Sequence, residues 1–152
     1  MPMSYGIGLA WRVSDNLTFD FDAYRTHWSK YILKDSLGNK FSPIDGRPES
    51  LSDVDDTTQV RLGAEYLMIF PNKQMAVPLR AGFFYDPEPA EKSIKNFYGI
   101  ALGSGIAYKR LIFDLAYNFR WGNGVDTGNL IANSEADVRQ HSLIASLILH
   151  LK

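Results

Sequence analysis

The chain has 152 residues, one domain's worth, with a formal net charge of -1 and a mean hydropathy of -0.18, so it offers no basic field for nucleic acid. It contains no cysteine, which excludes a disulfide framework and a thiolate metal site. No stretch approaches the roughly 18 consecutive apolar residues of a membrane helix, a test that is blind to membrane β-barrels, whose alternating strands carry average hydropathy.

Alternation of period two predicts about seven strands and no helix. Ser4 to Val13 sets Tyr5, Ile7, Leu9, Trp11 and Val13 against Ser4, Gly6, Gly8, Ala10 and Arg12. After Ser14-Asp15-Asn16, a second strand sets Leu17, Phe19, Phe21 and Ala23 against Thr18, Asp20, Asp22 and Tyr24, with no clear phase beyond. A polar stretch, Lys34 to Asp56, leads to a third strand with Val60, Leu62, Ala64, Tyr66 and Met68 opposite Gln59, Arg61, Gly63 and Glu65.

Pro71 to Gln74 turns the chain into a fourth strand, Val77 to Tyr85. Pro78 lies within it and has no N–H for the ladder, which predicts a bulge or a locally open hydrogen bond. Tyr98 to Trp121 alternates without a slip and supplies the fifth and sixth strands, turned at Lys109-Arg110. A loop from Gly122 to Glu135 precedes a seventh strand, Ser142 to Leu151.

Connections are short at Ser14, Pro71 and Lys109, and long after Leu33, Asp86 and Trp121. Sequential antiparallel strands would gather the short ones at one end, as in outer-membrane barrels with short periplasmic turns and long extracellular loops. Aromatic residues on the apolar face cluster at strand ends: Trp11, Phe70 and Tyr108 beside short turns, and Tyr5, Tyr85, Tyr98 and Trp121 beside long loops. They read as two membrane-interface girdles. Ten steps of roughly 3.3 Å at a tilt near 40° span about 25 Å, the height of a barrel's apolar band.

The opposite face carries Arg12, Arg61, Arg80 and Arg120 with Asp20, Asp22, Glu65 and Asp114, a balanced set that reads as a lumen charge network. The turn at Pro71 places Glu65 opposite Arg80, predicting an ion pair, and Lys109-Arg110 places Tyr108 opposite Leu111. Seven glycines share this face, among them Gly8, Gly63, Gly82, Gly99 and Gly105. They imply close packing or room for a ligand or plug. The fold expected is an all-β, antiparallel up-and-down transmembrane β-barrel portion.

Four segments in order carry a resemblance: Tyr24-Arg25-Thr26-His27-Trp28-Ser29, Arg61 to Tyr66, Pro78 to Asp86 followed by Pro87 and Pro89, and Asp114 to Tyr117. Together they resemble the C-terminal half of the FadL/TodX outer-membrane transporters. The resemblance implies a fourteen-stranded barrel in a Gram-negative-type outer membrane, passing long-chain fatty acids or aromatic hydrocarbons by diffusion. Residues 1–152 would then be a single segment, half of the barrel, lacking the N-terminal plug and the first half. The partners implied are membrane lipid, a hydrophobic small molecule, and either the missing half or a second copy of the chain to cover two unpaired edges.

Passage of an amphipathic acid calls for a cation for its carboxylate, with Arg61, Arg80 and Arg120 as candidates, and for apolar contacts to its tail, with Phe84 and Phe97 as candidates. Pairing with Glu65, Asp20 and Asp114 is the competing reading for the arginines. His27, His141 and His150 lack metal spacing, and Asp126, Glu135 and Asp137 read as loop solvation before a cation site. No carboxylate can be placed with His27 and Ser29 to complete a hydrolase, so catalysis, cofactor and metal are not expected. The alternative is a soluble β-barrel or sandwich module that binds a small apolar ligand.

Overall fold

Strict alternation forces an extended chain with two chemically different faces, and the computed structural model builds seven such segments into one sheet. It describes residues 1–90, 94–126 and 134–151. The strands are β1 (Ser4–Arg12), β2 (Leu17–Thr26), β5 (Thr57–Phe70), β6 (Met75–Tyr85), β7 (Tyr98–Tyr108), β8 (Leu111–Asp126) and β9 (Glu135–Leu149). A small hairpin, β3 (Leu33–Lys34) with β4 (Lys40–Phe41), lies in the connection between β2 and β5.

Every strand of the large sheet pairs antiparallel with its neighbours in chain order, β1-β2-β5-β6-β7-β8-β9. The sheet is an up-and-down meander, open rather than closed into a barrel: among the described residues nothing pairs with the outer edge of β1 or of β9. The short turns lie at one end. Lys109 (φ 52°) and Gln74 (φ 48°) adopt left-handed backbone there, and the Lys109 amide donates to the Gln74 carbonyl at 3.2 Å, tying two turns together.

Both registers read from the turns hold: Glu65 faces Arg80 and Tyr108 faces Leu111. At Pro78 the ladder between β6 and β7 is open from Ala76–Ala107 to Leu79–Ser104, with the register unchanged across the gap, so there is no bulge. The Pro78 carbonyl accepts the Ser104 hydroxyl at 3.0 Å, which explains a serine on an otherwise apolar face.

Some boundaries differ from expectation. The third strand of the sheet starts at Thr57, the sixth runs on to Asp126, and the seventh spans Glu135–Leu149 instead of Ser142 to Leu151. Residues 135–140 are mostly polar on both faces, so apolar alternation gives no signal although the backbone ladder continues. A one-residue irregularity between Gly122 and Val125 uses Gly124 at φ 58°, a backbone that glycine adopts freely.

A single layer has no interior. Leaving glycines and prolines aside, the buried apolar residues among those described are Val54, Phe97 and Val125, and all three lie at the long-loop end. The accessible surface is 10750 Å², against about 7,800 Å² for a compact monomer of this mass. The difference measures a face that no second layer covers.

Candidate functional site

The charged face is organised around β7, which presents backbone where its neighbours present long side chains. Arg80 on β6 donates from Nε to Glu65 on β5 at 2.6 Å and from Nη1 to Asp114 on β8 at 2.7 Å. The second contact crosses β7. Strands lie about 4.8 Å apart, so only a long side chain passing over bare backbone can make it. Gly103 faces Arg80 and Gly105 faces Asp114 in the register, and a methyl at Gly105 would sit 2.5 Å from the Asp114 carboxylate.

The three arginine candidates therefore have different fates. Arg80 is committed to two carboxylates. Arg120 is committed as well, with Nη2 on Glu88 at 2.5 Å and on Asp86 at 3.3 Å, and its guanidinium 3.7 Å from the Phe97 ring centre. Arg61 lies between Asp22 and Phe84 in the register and makes no ion pair among the described residues. It borders a 470 Å³ hollow lined by Gly6, Gly8, Asp22, Tyr24 and Gln59.

The expected network is accordingly smaller than the sequence suggested. Glu65 and Asp114 join through Arg80, while Asp20 and Asp22 make no ion pair among the described residues. Asp22 instead folds over Gly8, and Asp20 lies against Gly63. Arg12, the last residue of β1, turns to the Asp15 carbonyl at 3.5 Å.

The two phenylalanines also differ. The tip of the Phe84 ring lies over Gly99, where any side chain would collide with it, a close approach that only glycine permits. Phe97 is 3% exposed, wedged between Gly122 and Arg120. Both fill space over glycines in the sheet.

The aromatic row at the long-loop end is continuous. Tyr85, Tyr98 and Trp121 face one another across three strands, with ring centres 5.2 and 6.2 Å apart. Trp11 approaches Phe19 at the other end, where Phe70 and Tyr108 are also exposed, and Tyr5 meets His27 at 5.6 Å.

A hub that sequence reasoning missed joins the β2–β5 connection to the sheet. Asp56 accepts the Ser29 hydroxyl at 2.7 Å and the Ser29 amide at 3.2 Å, pairs with His27 Nδ1 at 2.5 Å, and reaches Arg25 at 3.5 Å. This corrects the expectation that no carboxylate accompanies His27 and Ser29. The Ser29 hydroxyl is spent on the carboxylate, however, so no serine–imidazole hydrogen bond of a nucleophile is formed.

Burial pushes the Asp56 carboxyl up, but the Ser29 and His27 hydrogen bonds and the His27 charge outweigh it and hold the carboxyl below the usual range. Its contribution is therefore present above the ordinary aspartate range and lost as pH falls through the lowered value. The Asp56 side-chain carboxyl carbon resonance should keep its ionised position through mild acid and move only below the usual aspartate range, a step that Asp56→Asn removes; protonation of Asp56 within or above that range would contradict this assignment.

The other acidic and histidine candidates are dispersed. Asp126 faces Glu135 across the ladder and Asp137 accepts the Gly124 amide at 3.2 Å, all on strand ends rather than in a loop. Among the described residues no three metal-ligating side chains converge. His141 stacks on Phe119 and hydrogen-bonds Tyr117 at 2.7 Å. Comparison of the chain with protein-family models, with curated proteins and with solved structures finds no match.

Proposed function

We propose that the chain forms part of the wall of an outer-membrane barrel through which hydrophobic molecules, such as long-chain fatty acids or aromatic hydrocarbons, pass passively. The carrying observation is the inversion of exposure. Along β8, Leu111, Phe113 and Leu115 are 39, 39 and 42% exposed, whereas the alternate residues Ile112, Asp114 and Ala116 are less so. Soluble proteins rarely leave so large an apolar face uncovered. Lipid is the solvent that suits it, with aromatic rows at both margins and all short turns at one end. The resemblance to FadL/TodX transporters supports the cargo class, and the absence of a second packed layer among the described residues disfavours a soluble sandwich.

In this reading Arg61 is the carboxylate's partner, since Arg80 and Arg120 already hold two carboxylates each. The test is equilibrium binding of oleate and of a neutral alkane to the chain in phospholipid vesicles. Arg61→Gln should weaken oleate about tenfold or more, the worth of one charge-assisted hydrogen bond, and leave the alkane unchanged. Equal binding of oleate by both forms would remove Arg61 from the site. Failure of brominated lipids to quench Trp11 and Trp121 would remove the membrane.

A further inference from the structure

Gly8 sits in the middle of β1, where a glycine weakens the strand, and what lies on it accounts for its place there. In the register Gly8 faces Asp22, and Asp22 faces Arg61 on its other side. Opposite charges set directly across a ladder ordinarily pair. These do not: the Asp22 carboxylate leans the other way, over Gly8, and Arg61 keeps no ion pair among the described residues. Tyr24, next on the same face of β2, leans alike over Gly6, which it faces. Together with Gln59 these residues line the 470 Å³ hollow, and Arg61 is the one cation on its described lining.

A glycine has the opposite effect at Asp114. Gly105 lets Asp114 lean across β7 onto Arg80, so glycine there makes an ion pair, whereas Gly8 draws a carboxylate away from the arginine it faces. Asp20, the other carboxylate on this face of β2, lies against Gly63 and makes no ion pair with Arg61 either. We infer that Gly8 is a positioning residue: by giving the Asp22 carboxylate a place to lie, it keeps Arg61 from being neutralised within the wall and leaves the guanidinium to a carboxylate ligand. This inference rests on the carboxylate site proposed above at Arg61.

One methyl group tests it. At Gly8 it would stand 2.6 Å from Asp22 Oδ1, closer than carbon and oxygen approach, while the nearest backbone atom across the ladder, the Phe21 carbonyl oxygen, is 3.9 Å away. The carboxylate alone has to move, and a rotamer that clears the methyl brings it within reach of the long Arg61 side chain. Gly8→Ala should therefore weaken oleate binding in phosphatidylcholine vesicles about tenfold, to the level of Arg61→Gln. Adding Asp22→Asn, which keeps the shape and removes the charge, should restore binding; a strand merely disturbed by the methyl would gain nothing from that second change. Urea unfolding supplies a readout without ligand: the effects of Asp22→Asn and Arg61→Gln should be additive in the parent and coupled in the Gly8→Ala background. Parent-like oleate binding by Gly8→Ala, with Arg61→Gln weakened, would overturn the inference, and so would additivity in both backgrounds. Coupling that appears in the Gly8→Ala background while Arg61→Gln binds oleate like the parent would uphold Gly8 as the residue that holds the pair apart and refute the oleate site at Arg61.

Discussion

Replacing Leu102 with arginine should destabilise the vesicle-embedded chain by about 2–4 kcal/mol, the cost of a guanidinium facing lipid near the midplane. Leu102 lies near the middle of β7, 53% exposed, on the face shared with Ile100 and Ile106. Ala101→Arg, one residue away on the charged face opposite Gly82 and Asn118, should cost far less, because water and counter-charges are available there. Urea titration of both variants in vesicles gives the comparison. Were this face bathed in water as the open sheet leaves it, the same change at an exposed leucine would fall within about 0.5 kcal/mol of the parent. Equal stabilities for parent and Leu102→Arg would therefore end the membrane account with one measurement.

Phe97→Ala should remove about 3–5 kcal/mol, the usual cost of deleting a buried aromatic ring. Phe97 is the most buried apolar side chain described, and its ring is the platform on which the Arg120 guanidinium rests. Arg120 in turn holds Asp86 and Glu88, while Gln59 donates to Asp86 at 2.6 Å, so one ring underlies the fastening of the β6–β7 connection. Gly122→Ala should show part of the same loss, since a methyl there would lie 2.8 Å from the ring. Phe84→Ala should lose less, because Phe84 covers Gly99 from a more accessible position. Measured by chemical denaturation, a stable Phe97→Ala that binds oleate poorly would return Phe97 to the role of a cargo contact.

What was legible in the sequence follows from the range of the forces involved. Period-two alternation and turn length are local, and they sufficed for the strand order, for the Glu65–Arg80 pair and for the Tyr85–Tyr98–Trp121 row. Contacts made by connections that fold back were not legible. Arg120 finds Asp86 and Glu88 only because the segment after β6 returns along the sheet, with Glu88 bridged to Lys95 and the Asp86 amide on the Phe97 carbonyl at 2.9 Å. Asp56 was hidden for the same reason, inside a polar stretch with no period. The outer half of β9 was missed because polarity on both faces erases the alternation without weakening the ladder.

The reach of Arg80 over β7 has a mechanical meaning. A guanidinium anchored on both sides of an intervening strand resists sliding of β6 against β8, so the three strands move as one stiff panel. No comparable strap is described across β1, β2 and β5. Thermal bending of the sheet should concentrate there, beside the hollow that Arg61 borders, leaving the braced half as the fixed frame against which the other flexes.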